Sequence, residues 1–208
     1  MASTASPYGL KAVNELGGLP YAGSTRTYLI DPAGTASNIY NGSPVYVNAS
    51  GYLAVATATG ADATTNGLPV GTANTGIVGV FVGCQYINAQ GQVIYAQYYP
   101  TGTTGVVNAY VVDDPNVIFQ VQSAGTVTQA AVGANLFFST GAVATGSTTT
   151  GNSTASVVAG SSAVTTTAAF RVVGFPNMVG FSVVGDAYTD VFVKINPGYH
   201  SYTNAVGL

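Results

Sequence analysis

The chain reads as all-β: a single barrel or jelly-roll-like sandwich of roughly ten short strands, carried between an extended N-terminal arm and a C-terminal tail. Three observations predict this. Val, Thr, Tyr and Phe, which suit a half-buried pleated surface, are abundant, with 14 Tyr and 8 Phe among 208 residues. Leu, Glu, Lys and Arg, the usual helix formers, are scarce. Short apolar runs recur between clusters drawn from 27 Gly and 9 Pro, the residues that punctuate strands with turns.

Residues 1–24 (MASTASPYGLKAVNELGGLPYAGS) show no sustained period, and Pro7, Gly9, Gly17, Gly18 and Pro20 interrupt any helix begun at 11–16. They are expected to form the extended arm, held by a partner. The domain is expected over 25–198. Its first strand is TRTYLI (25–30), ended by Asp31-Pro32. PVYV (44–47) and YLAVAT (52–57) flank Asn48-Ala49-Ser50-Gly51 and predict a hairpin. Residues 58–76 carry little to bury and predict mostly loop. IVGVFVGCQYI (77–87) and QVIYAQYY (92–99) form the next predicted hairpin around Asn88-Ala89-Gln90-Gly91, with Val78, Val80, Val82, Cys84 and Tyr86 on one face. Gly79 and Gly83 fall on the other face, where another backbone can approach. VVNAYVV (106–112) and VIFQVQ (117–122) flank Asp113-Asp114-Pro115-Asn116 and predict a further hairpin. NLFFS (135–139), AAFRVVGF (168–175), FSVV (181–184) and DVFVKIN (190–196) complete the set. Between them, 141–167 is a low-complexity excursion of Ser, Thr, Gly and Ala. Residues 199–208 are expected to be the tail.

Charge is the strongest departure from an ordinary chain. Only 11 side chains are formally charged, four basic and seven acidic, where a typical soluble protein of this length carries roughly 52. Removing a charge from water at a contact is expensive, so permanent interfaces are depleted of Lys, Glu and Asp. The composition therefore predicts a surface largely given to other protein. The four cations, Lys11, Arg26, Arg171 and Lys194, are scattered. Nucleic-acid binding requires clustered cations that release counterions, and is not expected. No apolar run approaches the 18 or so residues of a membrane helix, so no membrane partner is expected. The first ten residues have neither the basic start nor the apolar run of a secretory signal.

Reactive residues are few. His200, the single imidazole, would have to be the sole base of any Ser–His or Cys–His system. Cys84, the single thiol, lies in the middle of an apolar strand, where cysteine behaves as a small hydrophobe. One Cys and one His cannot build a structural zinc site. Asp113 and Asp114, and likewise Asp186 and Asp190, sit where turns use Asp, and nothing in their spacing brings them together as an acid pair. No catalytic residue, cofactor or metal is expected, and the chain reads as non-enzymatic. Tyrosine combines apolar area with a hydroxyl, which favours protein contacts. Partner contacts are accordingly expected from Pro7, Tyr8, Gly9, Leu10 and Tyr21 of the arm, and from Tyr199, His200 and Tyr202 of the tail. The alternative is a glycan-binding sandwich that stacks sugars on tyrosines of 86–99.

Four stretches carry a family resemblance: SPYGLKAVNELGGLPYAGSTRTYLI (6–30), GVFVGCQYINAQGQVIYAQYYPTG (79–102), AYVVDDPNVIFQVQ (109–122) and DVFVKINPGYHSYTNAVGL (190–208). Together they resemble the head decoration, or cement, proteins of tailed phages of aquatic bacteria and cyanobacteria. The resemblance spans most of the chain, though 58–76 and 141–167 add little. It implies a barrel or jelly-roll-like module that clasps the outer surface of an icosahedral capsid, commonly as a homotrimer, with the major capsid protein as partner. A fibre or spike base on the same virion is the neighbouring alternative. The family has no conventional active site, so only Pro7–Leu10 and the turn at 113–116 match motifs that can be carried across.

Overall fold

The computed structural model describes residues 4–56, 76–139, 145–158, 168–176 and 182–203. Among the described residues, twelve strands run in chain order: β1 (Lys11–Glu15), β2 (Arg26–Ile30), β3 (Pro44–Val47), β4 (Leu53–Val55), β5 (Gly79–Ile87), β6 (Val93–Ala96), β7 (Val107–Val112), β8 (Val117–Ala124), β9 (Asn135–Leu136), β10 (Val157–Val158), β11 (Phe170–Gly174) and β12 (Asp190–Ile195). The fold is all-β, in two packed sheets.

One sheet runs β3-β4-β2-β7-β5-β6, and β3 also pairs with β5, so five of its strands close into a small barrel. A single edge of β5 serves two partners. Gly79 and Val80 pair with β3, while Cys84 to Ile87 pair with β6, which therefore extends outward from the ring. Alternation along β7 fills the barrel: Val107, Ala109 and Val111 point inward beside Ile30, Val45, Leu53, Phe81 and Cys84. The second sheet is open, ordered β1-β8-β12-β11-β9, with β10 parallel to β8. It packs on the barrel through Phe119, Val121, Phe170, Val191 and Val193, which meet Ile77, Val80 and Val112 in a second core.

Two predicted hairpins are formed, and both turn on the same tetrapeptide pattern, Asn-Ala-x-Gly. In each, the Asn Oδ1 accepts two backbone N–H groups, Ser50 and Tyr52 in one turn and Gln90 and Gln92 in the other. Gly51 and Gly91 then close at φ +81° and +78°, a region that glycine enters without strain.

The third predicted hairpin is not formed. β7 pairs with β2 and β5 in the barrel, while β8 pairs with β1 and β12 in the open sheet. Asp113–Asn116 is a turn in which Asp114 Oδ1 accepts the Asn116 N–H at 2.7 Å, yet it carries the chain from one sheet to the other. It lacks the glycine that closes both true hairpins, so the strands diverge and are not folded back together.

The single apolar face expected for β5 is also split. A bulge between Phe81 and Gly83 shifts the register against β7. Val80 and Val82 face the inter-sheet core, whereas Phe81 and Cys84 face the barrel. Gly79 does meet another backbone, since a Cβ there would collide with the Val112 carbonyl oxygen. Ser182–Val184 form no strand; the Ser182 hydroxyl instead accepts the Asp190 N–H, and Asp186 closes a turn onto the Val183 N–H.

The segment expected as an extended arm contributes β1, antiparallel to β8. Leu10 lies in the inter-sheet core at 2% exposure. In the low-complexity excursion, 145–158 crosses the barrel at Asn41 and enters the open sheet as β10. Residues 58–75, 159–167 and 204–208 lie outside the described residues.

Candidate functional site

The residues expected at partner contacts fall at two places, each of which holds one end of the chain. The first is built on Pro7–Leu10. Gly9 has φ +79°, and a Cβ there would lie 2.9 Å from the Gly42 carbonyl oxygen, so only glycine lets the two backbones meet. That approach allows the Leu10 N–H to bond Gly42 O at 2.9 Å and seats the Leu10 side chain in the core. The Tyr8 hydroxyl donates to Asp190 Oδ1 at 2.9 Å, and Lys11 Nζ lies 4.6 Å from the Tyr8 ring centre. Burial, partly offset by the Tyr8 and Ser182 hydrogen bonds and by Lys11, raises the Asp190 pKa above the usual carboxylate range. Upstream, Gln122 accepts the Ser6 N–H and donates to Thr4 O. Gly9 and Leu10 are thus consumed within the chain, and Pro7 and Tyr8 remain half-exposed.

The second place is a polar cluster made by β2, the Asp113 turn and the C-terminal segment. Arg26 Nε lies 3.0 Å from Asp113 Oδ2. The Tyr28 hydroxyl donates to the same oxygen at 2.7 Å and also meets the Tyr202 hydroxyl. Arg26 reaches the Tyr202 hydroxyl at 3.2 Å and stands 5.1 Å from its ring centre. Tyr202 N–H donates to Nδ1 of His200, whose ring is fully buried. Burial pushes the His200 pKa below its ordinary value, while Asp113 and Asp114 pull it upward and Lys194 pushes it further down. His200 is placed there because its segment bridges Ile77, with Ile77 N–H bonding Tyr199 O at 2.6 Å. Tyr199 and His200 are buried within the chain, Tyr21 is half-exposed beside the Asp113 turn, and Tyr202 is exposed.

A further surface feature was not among the expected residues. Outward-facing positions of β2, β7, β5 and β6 make one continuous surface. Leu29 lies opposite Asn108, Asn108 opposite Gln85, Gln85 opposite Tyr95, and Ile87 opposite Val93. Val106, just before β7, is 68% exposed, and Tyr95 is 73% exposed; Leu29, Ile87 and Val93 are exposed as well. Tyr110 bonds Gln85 across it at 3.0 Å. None of these residues is charged. The signal lies in runs such as QVIYA and VVNAY, which place apolar groups on both faces, more than one core needs.

The tyrosines of 86–99 are mostly engaged. Tyr99 is fully buried, Tyr98 stacks on Tyr40 at 5.6 Å, and Tyr86 packs toward the barrel interior. Beside Tyr40 lies a shallow cleft of about 320 Å³ with Ser37, Asn38 and Thr101 on its wall. Asn38 already donates to the Tyr40 hydroxyl and accepts the Thr101 N–H. Cys84 is buried in the barrel, and its thiol is pushed up to about 12 by burial. Asp113 and Asp114 lie in one turn, Asp186 in another and Asp190 at the start of β12, and no group of three His, Cys, Asp or Glu gathers among the described residues. None of the helical turns described is long and apolar enough to cross a membrane. No protein-family model, curated protein or solved structure matches the chain.

Proposed function

We propose that this protein is a non-enzymatic structural component of a virion, decorating the outside of a capsid head and cementing neighbouring major capsid subunits. The observation that carries this reading is the uncharged, partly apolar surface across β2, β7, β5 and β6, on a chain with only 11 charged side chains. Solvent-facing sheet positions ordinarily carry charge, and their neutrality here suits a face covered by protein. The family resemblance of the four sequence stretches points the same way, toward self-association as a homotrimer and docking on the major capsid protein. A cement that binds only the assembled lattice stabilises it by mass action.

The test is co-sedimentation with tailed-phage heads stripped of their decoration. The full-length protein is expected to saturate the heads. The double variant Leu29→Lys, Val106→Lys, which leaves both cores intact, is expected to lose binding. Absence of binding by the unmodified protein to heads from aquatic and cyanobacterial phages overturns the reading. Truncation of residues 1–24 is a poor probe, because it removes β1 and Leu10 from the fold.

A further inference from the structure

The barrel sheet closes on itself except where β6 leaves β5, and Val93–Ala96 have no other strand partner among the described residues. The two sheets treat their edges differently. β1 carries Lys11 and Glu15 and a register shift between Ala12 and Asn14, features that block edge-to-edge pairing. β6 reads Val-Ile-Tyr-Ala, with no charge, proline or bulge. We infer that a second copy of this chain adds to β6, antiparallel and about a two-fold axis at Ile94, so that the sheet β2-β7-β5-β6 continues into its counterpart.

The register follows from the hydrogen-bond pattern. Asn88 N–H donates to Gln92 O at 2.9 Å, and hydrogen-bonded pairs alternate along an antiparallel ladder. Ile94 and Ala96 therefore bond toward β5, and the N–H and C=O groups of Val93 and Tyr95 point outward. With Ile94 opposite its own copy, Val93 of each chain meets Tyr95 of the other, and all four outward groups on each side are paired. The same step sets exposed Val93 against exposed Tyr95 twice on the outer face, a β-branched and aromatic cross-strand pair. Only a copy of this strand supplies both halves reciprocally. The face beside it, with Gln85, Ile87, Asn108 and Tyr110, is neutral, so two copies meet without like-charge repulsion, whereas a charged partner finds no counter-charge there. A four-residue edge buries less than the roughly 1,200 Å² that marks a stable interface, so the contact is weak in dilute solution. It strengthens when other contacts hold the edges close together. The inference rests on the edge geometry and not on the virion reading, and the two stand or fall separately.

The lone cysteine makes the test clean, since Cys84 is buried in the barrel. Opposed Ile94 residues would form a non-hydrogen-bonded pair with Cα atoms about 4.5 Å apart, within the span of a disulfide. Ile94→Cys is expected to give a disulfide dimer on mild oxidation, where a Val106→Cys control does not. Val93→Pro removes an outward N–H and leaves the β5 ladder whole, and it is expected to lower the dimer yield by about ten-fold. Sedimentation equilibrium of the wild-type protein reads the same contact without a cysteine: average mass should rise with concentration toward a dimer, and Val93→Pro should abolish the rise. Cross-linking of Ile94→Cys no better than the control, or self-association indifferent to Val93→Pro in a folded protein, overturns the inference.

Discussion

The two ends of the chain are tied down by opposite means. The N-terminal segment is held by an apolar plug: Leu10 sits in the inter-sheet core behind the Gly9–Gly42 contact, with the Tyr8–Asp190 hydrogen bond as a supplement. The C-terminal segment reaches the same core through Tyr199, and beyond it a polar cluster takes over, in which Asp113 is the shared acceptor for Arg26 and Tyr28 and Tyr202 lies over both. Packing of the Leu10 side chain responds little to salt or pH, whereas hydrogen-bonded and ionised groups at either end respond to both. The two segments are therefore expected to respond differently to the same change of solution.

Leu10→Ala should produce the largest effect, about 2–5 kcal/mol of lost stability, because it empties a filled core position. Differential scanning calorimetry reads this as a fall in Tm of several degrees, and a loss below about 1 kcal/mol would show that the plug is not what anchors this end.

Asp113→Ala comes next. It removes the carboxylate acceptor of the half-buried Tyr28 hydroxyl, leaving it only the Tyr202 hydroxyl, and should cost about 1–2 kcal/mol. Arg26 is exposed and its share is screened by solvent, so most of the loss should persist in added salt. A loss that vanishes in 0.5 M NaCl would assign the anchor to the ion pair instead of the buried hydrogen bond.

Tyr8→Phe should cost about 1 kcal/mol, the net worth of one hydrogen bond, and leave β1 in place. Hydrogen exchange at 11–15 that rises to the level of a free chain would mean the hydroxyl, and not Leu10, does the holding.

The pH response sharpens the comparison further, because the two anchors carry opposite signs. The folded pKa of His200 lies below its unfolded value of about 6.5. As pH falls from that value toward the folded pKa, the unfolded chain takes up a proton that the folded chain resists, and stability drops. The folded pKa of Asp190 lies above its unfolded value of 3.8. As pH falls through that folded value, the folded chain takes up the proton first, and stability rises. Acidification should therefore open the C-terminal segment before the N-terminal one, seen as earlier proteolytic cleavage near Tyr202 than near Tyr8. His200→Gln should flatten the decline between pH 7 and 5. An unchanged slope in that variant would remove His200 as its source.

Much of the fold was legible in single residues. The Asn-Ala-x-Gly tetrapeptides marked both true hairpins, because a side-chain acceptor followed by a glycine specifies the turn locally. The same logic, applied to Asp113–Asn116, could have separated a corner from a hairpin by its missing glycine. β1 escaped notice because Lys11–Glu15 buries one side only in part, so its pattern lacks the alternation that marks a strand. At the two candidate contact places, the expected residues make contacts within the chain. Tyr8 bonds Asp190, and Tyr202 meets Arg26 and the Tyr28 hydroxyl, all within the same chain.

Composition and local pattern by themselves determined the all-β class, most strand positions, the two tight turns and the scarcity of charge, since each depends on residues close in sequence. Only the tertiary structure decided that β7 and β8 part company, that β3 meets β5 to close a barrel, and that Leu10 crosses to Gly42. Those outcomes depend on which distant apolar faces can be buried together, and on a bulge at Val82 that reverses which side of β5 faces in. Neither is written in any short stretch of chain.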